Sequence, residues 1–152
     1  MSPIEIIDTE FNHNDLSLLI TQLDQYLFGL FPPEEVYQLD FDDPNIAKVE
    51  FVTAYLEGNP VGCGAIKEID ESTVELKRFF VIQACRNQGV AGLILKRLED
   101  KARNKNYKAM KLETGDLQVE AIGFYKKSGF IPIDRFGEYV DCPSSICMEK
   151  KL

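Results

Sequence analysis

The sequence lacks several features that whole classes of protein require. It contains a single histidine, His13, and no GxSxG motif, so it offers little to a Ser-His-Asp or Cys-His enzyme. No apolar run approaches the roughly 20 residues of a membrane span. Neither the Walker A pattern GxxxxGK[ST] nor GxGxxG occurs. These absences argue against triad hydrolases, membrane proteins and the best-known nucleotide-binding loops.

Metal and disulfide frameworks are also missing. The four cysteines, Cys63, Cys85, Cys142 and Cys147, include no CxxC pair, so we expect no metal site and free thiols in a reducing compartment. His13 stands just before an apolar-periodic stretch and is expected at a helix start. The N-terminal segment MSPIEIIDTEFNHND has acids where a signal peptide has bases. The sequence therefore predicts a cytoplasmic location.

Positive charge is scarce. The chain has 17 basic and 25 acidic residues, a formal net charge of −8. Nonspecific nucleic-acid binding and docking on anionic lipid both need a positive surface, so we expect neither. Acidic residues concentrate in the first half of the chain and basic residues in the second, which can mark the place of a charged ligand. At 152 residues the chain is long enough for one core, and we expect a single domain over residues 3–152.

Hydrophobic periodicity predicts an α+β fold. The predicted strands are Ile4–Asp8, Lys48–Leu56, Val61–Lys67, Thr73–Ile82, Lys108–Glu113, Phe130–Ile133 and Ser144–Met148, and the second to fourth of these form an antiparallel meander. Four helices are predicted. The first is capped by Asn14 or Asp15, and the second is short and begins with Pro32-Pro33-Glu34-Glu35. The two longer helices are Gly89–Arg103 and Glu120–Ser128, and Gly129 ends the latter.

The clearest chemical signal lies between the fourth strand and the helix that follows. The segment Arg86-Asn87-Gln88-Gly89-Val90-Ala91 places small residues at a helix start, where backbone N–H groups lack partners and the macrodipole favours an anion. Arg86 adds a charge-assisted donor. An ordinary helix start with small residues is the alternative interpretation of the same pattern.

This segment matches [Q/R]xxGx[G/A], the pyrophosphate loop of the GNAT superfamily of N-acetyltransferases, which the chain resembles. A second block supports the resemblance: Gln118, Ala121-Ile122, Phe124-Tyr125 and Ser128-Gly129-Phe130 follow the family pattern N-x-x-A-x-x-[LF]-Y-x-x-x-GF. Gln118 departs from it, because the family often has asparagine there, although glutamine keeps the same amide groups on a longer arm. The resemblance covers essentially the whole chain and is strongest over residues 75–130.

The resemblance implies a mixed, mostly antiparallel sheet splayed between its fourth and fifth strands, with helices on both faces. Acetyl-CoA, as co-substrate, would sit in that opening, and no metal is implied. The residues expected to bind it are Phe79, Phe80 and Val81 through their backbone, the loop residues Arg86, Asn87, Gln88, Gly89, Val90 and Ala91 at the pyrophosphate, and Gln118.

The resemblance also implies two catalytic residues. Tyr125 aligns with the tyrosine that acts as the acid in many family members, and the alternative is a packing role. Glu75 stands where some members carry the general base, and the alternative is an ion pair with Lys77 or Arg78. A carboxylate is a weak base for an ammonium group, so Glu75 would act through water or with a raised pKa. Strand alternation would place Glu75, Lys77, Phe79 and Val81 on one face unless a bulge intervenes.

The acceptor is expected to be a primary amine, cationic if the acidic half of the chain faces it. Candidates for the acceptor pocket are Phe136, Gly137 and Tyr139, and the acidic residues Glu34, Glu35, Asp40, Asp42 and Asp43. Two alternatives stay open: a non-catalytic acyl-CoA-binding sensor, and an acyltransferase with another donor or acceptor. The resemblance also allows a homodimer, which the sequence does not decide.

Overall fold

Seven strands form one mixed sheet in the computed structural model, which describes residues 3–152; Met1 and Ser2 of the N-terminal segment lie outside these residues. The strands are β1 (Ile4–Thr9), β2 (Glu50–Leu56), β3 (Asn59–Asp70), β4 (Thr73–Val81), β5 (Ala109–Gly115), β6 (Ile131–Ile133) and β7 (Ser145–Lys151). Their order across the sheet is β1-β2-β3-β4-β5-β7-β6, and every neighbouring pair is antiparallel except β4 and β5. The expected mixed, mostly antiparallel sheet is confirmed.

The parallel pair opens after its first few residues. Cα partners between β4 and β5 run only from Thr73 with Ala109 to Glu75 with Lys111. Beyond that point the two strands separate, and β4 continues to Val81 with β3 as its paired neighbour. The predicted splay between the fourth and fifth strands is therefore confirmed, and it leaves one edge of β4 free inside the sheet.

Three helices cover the two faces. They are α1 (Asn14–Phe28), α2 (Val90–Asn104) and α3 (Val119–Lys127). Helix α1 packs Leu16 and Leu19 against one face in a core with Phe51, whereas α2 packs Ile94 and Leu98 against the other. Burial of these apolar stripes, at about 25 cal/mol per Å², is what holds the helices to the sheet. The prediction of helices on both faces is confirmed.

The predicted start of the first helix is wrong by one residue. His13 is the cap, and its Nδ1 accepts a hydrogen bond from the Asp15 backbone N–H at 3.1 Å. The short helix predicted after Pro32 is a single 3-10 turn, Pro33–Glu35, and a second such turn, Pro44–Lys48, precedes β2. Within residues 3–152, no helix combines the length and apolarity needed to cross a membrane.

A β-bulge changes the faces of β4. The register with β3 shifts between Cys63 and Ala65, and Arg78 adopts a left-handed φ of 51°. The inserted residue breaks the alternation, so Phe79 joins the core under α2 while Glu75 and Lys77 point to the opposite face. The sequence analysis allowed for such a bulge as the exception to strand alternation, and its presence means that Glu75, Lys77, Phe79 and Val81 do not share one face.

Candidate active site

A groove of about 550 Å³ runs along the opening between β4 and α3. It is lined by the end of β4, the loop before α2, and the first turns of α2 and α3. Of the residues predicted to bind acetyl-CoA, those lining it are Phe79, Phe80, Val81, Arg86, Asn87, Gly89, Val90, Ala91 and Gln118. Gln88 is the exception: its side chain points away and its Nε2 donates to the Ala84 carbonyl at 3.3 Å.

The loop before α2 has the geometry of an anion cradle. Gly89 is the N-cap of α2 with a left-handed φ of 84°, and no side chain caps this helix end. A Cβ built at Gly89 would meet nothing within 4 Å. The first N–H groups of α2 are therefore left for a ligand, at the end of the helix where the macrodipole favours negative charge. Asn87 also has a positive φ, of 64°.

Arg86 is held at the side of this groove. Its Nε donates to the Val81 carbonyl at 3.1 Å, and its guanidinium lies 5.6 Å from the Tyr26 ring centroid. The Glu120 carboxylate is 3.9 Å away, but Glu120 is largely exposed, so this ion pair is weak and can be exchanged for a stronger anion.

A second, smaller cavity of about 80 Å³ lies on the other side of β4. Its walls come from α1, the segment 31–37, β4, β5 and the 3-10 turn Gly137–Tyr139. Four residues line both this cavity and the groove: Leu23, Phe79, Gln118 and Tyr125. The two spaces therefore adjoin at Tyr125. We refer to them below as the donor groove and the acceptor cavity.

Glu75 lies in the acceptor cavity within a buried polar network. The Tyr139 hydroxyl donates to Glu75 Oε2 at 2.5 Å and accepts from Lys77 Nζ at 2.9 Å, and Lys77 lies 3.5 Å from the Glu75 carboxylate. All three residues are buried. Burial, followed by the negative charge of Glu75, raises the pKa of Tyr139 far above its ordinary value, so this hydroxyl remains a donor. The ion-pair alternative for Glu75 is thus present in the structure, and the carboxylate still faces the cavity.

Arg78 ties the bulge to the elements that cover the cavity. Its guanidinium forms an ion pair with Asp24 of α1 and donates to the Tyr37 carbonyl at 3.3 Å. Its Nε has no hydrogen-bond partner among residues 3–152. Because Asp24 neutralises it, Arg78 adds little net charge to the cavity.

Glu113, which the sequence analysis does not single out, faces the same cavity from β5. The Ser145 hydroxyl donates to its Oε2 at 2.5 Å. Burial raises the pKa of Glu113 above its ordinary value, against the opposing effects of Ser145 and Lys77. The sequence pattern that could have identified Glu113 is the alternation in Ala109–Gly115. Lys111 and Glu113 alternate there with the buried Met110 and Leu112, so Glu113 lies on the other face of the strand that borders the splay.

Tyr125 is buried between the two spaces. Its ring packs against Phe79, Phe124 and Phe130 with centroid separations of 5.7 to 5.9 Å. Burial and then the negative charge of Glu113 raise the pKa of Tyr125 above its ordinary value, so the residue is a neutral phenol at pH 7. Packing and a chemical role are therefore compatible here, since the same side chain lines both cavities.

Gln118 uses part of its amide to shape the end of β5. Its Oε1 accepts from the Gly115 N–H at 2.9 Å and from the Thr114 hydroxyl at 3.1 Å. This leaves the amide NH₂ group to face a ligand at the junction. Phe31 closes the cavity from the other side, since a Cβ at Gly115 would overlap its ring.

The weaker candidates for the acceptor pocket divide between the wall of the cavity and its surroundings. Tyr139 and Glu35 line it, and Glu35 accepts from the Ser144 hydroxyl. The others, Phe136, Gly137, Glu34, Asp40, Asp42 and Asp43, are not among its lining residues. Asp43 instead caps the turn Pro44–Lys48. Acidic composition alone could not separate Glu35 from its neighbours, because the turn geometry decides which side chain points inward.

The cysteines are free and none lines the acceptor cavity, although the Cys142 thiol lies behind its wall and donates to Glu35 Oε1 at 3.7 Å. Cys63 is fully buried, which raises the pKa of its thiol to about 12, whereas Cys85 lines the donor groove and is partly exposed. Within residues 3–152, no group of three or more His, Cys, Asp or Glu side chains is placed to hold a metal ion.

Comparison with known proteins gives a consistent result. The model of the acetyltransferase (GNAT) family matches residues 17–130. The chain is 38% identical over 135 residues to the IAA acetyltransferase of Azospirillum brasilense, with 88% of each chain covered. A Klebsiella pneumoniae structure described as an acyl-CoA N-acyltransferase superposes with a TM-score of 0.86 at 30% identity, covering 98% of this chain and 97% of that one. A GNAT family acetyltransferase from Elizabethkingia anophelis, solved with acetyl-CoA bound, gives 0.68 at 25% identity, with 98% of each chain covered.

Proposed function

Because the chain belongs to the GNAT family of acetyltransferases, we propose that it moves the acetyl group of acetyl-CoA directly to a primary amine in the acceptor cavity. The observation that carries this proposal is the junction at Tyr125, where the donor groove and the acceptor cavity share residues. No cysteine is among the described residues lining the acceptor cavity, which favours attack by the amine itself over a covalent acyl-cysteine.

The donor groove suits an acyl-CoA chemically. The edge of β4 that the splay frees offers backbone groups at Phe79 and Phe80 to the pantetheine amides, as an added strand would use them. The N–H groups at Gly89–Ala91 and the Arg86 guanidinium suit the pyrophosphate. Gln118 would contact the arm near the thioester through its amide NH₂. Solved GNAT-fold structures bind CoA or acetyl-CoA.

The acceptor side has to solve a protonation problem. An alkylamine of pKa about 10.4 is almost wholly protonated at pH 7, and making the neutral form costs roughly 4.6 kcal/mol. Three carboxylates line the cavity, Glu35, Glu75 and Glu113, and the two on its strands, Glu75 on β4 and Glu113 on β5, can receive that proton. Glu75 is the proposed general base, acting through water, with its carboxylate held by Tyr139 and Lys77.

Tyr125 is the proposed acid. A neutral phenol at the junction can donate its proton to the CoA thiolate as the C–S bond breaks, and its raised pKa keeps it protonated until then. Replacing Tyr125 by Phe should lower kcat by about 10²-fold or more while the Kd for acetyl-CoA changes less than about threefold.

The same variant discriminates the sensor alternative. A protein that only binds acyl-CoA has no use for the phenol, so Tyr125→Phe would then leave its binding response unchanged and there would be no turnover to lose. An acyltransferase with another donor would show the same loss as the acetyltransferase, but with the longer acyl-CoA.

The transferase is tested by thiol release from acetyl-CoA against a panel of amines, with the product identified by mass spectrometry. The panel contains spermidine, lysine, peptides with free N-termini, aminoglycosides and simple alkylamines. Amine-dependent thiol release with a matching acetylated product supports the proposal. Tight acetyl-CoA binding without turnover on any amine would favour the sensor.

The proposal also covers the domain organisation, the cellular compartment and the partners. We propose one domain over residues 3–152 that works in the cytoplasm on small partners, acetyl-CoA and an amine, without nucleic acid or membrane. The four free thiols are in keeping with a reducing compartment.

A further inference from the structure

Glu113 is a half-buried carboxylate without a cationic partner. Its Oε2 accepts from the Ser145 hydroxyl, and it forms no ion pair with any Lys or Arg among residues 3–152. The nearest candidate, Lys77, is instead committed to Glu75 and Tyr139. A carboxylate that is partly withdrawn from water normally finds a cation or several donors, so Glu113 can still accept hydrogen bonds from a cationic ligand.

The charges of the acceptor cavity do not balance. Its described lining contains three carboxylates, Glu35, Glu75 and Glu113, against the cations Lys77 and Arg78. Arg78 is neutralised from outside by Asp24, and Lys77 is paired with Glu75. Glu35 accepts from the Ser144 hydroxyl and the Cys142 thiol, and Glu113 accepts from the Ser145 hydroxyl, so neither carboxylate has a cationic donor here. The empty cavity is therefore short of positive charge.

The surroundings of Glu113 favour a cation over a second anion. The charged or titratable groups that interact with it include Lys77 and Glu75 on β4, Tyr125 on α3, Tyr37, Glu138 and Tyr139 in the 3-10 turn, and Cys147 on β7. Lys77 is the positive member of this set. A substrate carboxylate placed here would meet Glu75 and Glu113 in the cavity wall, at a cost that so small a cavity screens poorly with water.

We infer that Glu113 is the binding subsite for the ammonium group of the acceptor, which is a small primary amine carrying no carboxylate next to its amino group. This inference rests on the proposed transferase function and names its substrate class. The cavity volume of about 80 Å³ limits the buried part of the acceptor to a short chain, walled by Leu27, Phe31 and Val36.

The proton balance of the step follows from this placement. The ammonium passes one proton to Glu113, and the neutral nitrogen bonds to the thioester carbonyl carbon. The C–S bond then breaks, the thiolate takes the proton of Tyr125, and the new amide nitrogen loses a second proton that restores the phenol. Glu113 returns its proton to solvent, so the products are an N-substituted acetamide, CoA with a free thiol, and one proton. Here Glu113 takes the first proton in place of the water-mediated route through Glu75 proposed above. Glu75 holds Lys77 and Tyr139, and so keeps Lys77 from neutralising Glu113.

Matched pairs of amines test the subsite by binding alone. Calorimetry on the full chain saturated with CoA would compare n-butylamine with norvaline, and phenethylamine with phenylalanine, since each pair differs by one α-carboxylate. We expect the amines to bind at least about 30-fold more tightly than the amino acids. We expect Glu113→Gln to weaken the binding of the amines by about 30-fold or more, as when one partner of a buried charge pair is removed.

Glu149→Gln is the matched control. Glu149 lies on β7, the strand that also carries Ser145, and outside both cavities. It should leave amine binding within about twofold of wild type, because its carboxylate does not face the acceptor. Circular dichroism melts and acetyl-CoA affinity would show that Glu113→Gln folds and keeps its donor groove.

The outcomes separate the subsite from the transferase. Equal affinity for amines and their amino-acid counterparts, or amine binding that Glu113→Gln leaves intact, overturns the subsite. So does a wild-type protein that binds neither amine. Amine binding that depends on Glu113 without any thiol release from acetyl-CoA supports the subsite and contradicts the transferase alone.

Discussion

Replacing Tyr139 by Phe removes one oxygen atom from the centre of the buried network. That hydroxyl makes two hydrogen bonds to charged groups, from Lys77 at 2.9 Å and to Glu75 at 2.5 Å. The ring contacts with Tyr37 and Phe136, at 4.7 and 5.3 Å between centroids, are unaffected by the change. The substitution therefore isolates the polar contribution of this residue.

The expected loss of stability is about 3 kcal/mol. A hydrogen bond to a charged group contributes about 1.5–3 kcal/mol, and two are lost. The loss is smaller than their sum because Lys77 and Glu75 lie 3.5 Å apart and can approach each other more closely. For a domain of this size, about 3 kcal/mol corresponds to a fall in Tm of roughly 6–12 °C.

Urea unfolding and scanning calorimetry would measure this loss, with Tyr26→Phe as the control. Tyr26 is partly exposed and lies beside Arg86, so removing its hydroxyl should change the free energy of unfolding by less than about 0.5 kcal/mol. If Tyr139→Phe costs no more than Tyr26→Phe, the network does not hold the acceptor wall and the reasoning is refuted.

Three further predictions concern the cavities. Gly89→Asp should weaken acetyl-CoA binding by about 100-fold through charge repulsion. Its uncharged isostere Gly89→Asn, which also tolerates a left-handed φ, should weaken binding far less, and equal losses in calorimetry would contradict an anion site. Acetyl-CoA should slow the alkylation of Cys85 by iodoacetamide, whereas the buried Cys63 should stay unreactive until the protein unfolds. If mass spectrometry finds Cys85 alkylated equally fast with and without acetyl-CoA, the result would contradict binding in the donor groove. Gly115→Ala should abolish amine acetylation because the alanine Cβ overlaps the Phe31 ring. Adding Phe31→Ala to this variant should restore part of the activity, and no recovery in the thiol-release assay would contradict this packing.

Much of the fold could be predicted because it follows local rules. Apolar alternation located every strand, and the 3.6-residue stripes located all three α-helices, with errors at their ends. The remaining predicted helix, after Pro32, is a 3-10 turn. The donor groove was also accessible to prediction, since its loop is a continuous segment, Arg86–Ala91, between a strand and a helix. Nine of the ten residues predicted to bind acetyl-CoA line this groove, and the exception is Gln88, whose side chain turns away to Ala84.

The acceptor cavity could be predicted only in part, because its residues meet through tertiary structure. A single inserted residue at Arg78 places Phe79 on the opposite face from Glu75. The alternation of side chains along a strand does not predict where a β-bulge occurs. Glu113 reaches the cavity only because β5 leaves β4 after Lys111. The partners of Glu75 were likewise decided by Tyr139, which is 64 residues away in the chain.

The central claim is direct acetyl transfer between the two cavities, and a crystal structure with a non-hydrolysable acetyl-CoA analogue tests it most directly. In this analogue a methylene group replaces the thioester sulfur. We predict that the acyl carbonyl lies at the junction bounded by Leu23, Phe79, Gln118 and Tyr125, with the pyrophosphate on the N–H groups that begin α2. An acyl group located away from Tyr125, or a pyrophosphate bound elsewhere, would contradict direct transfer between the two cavities.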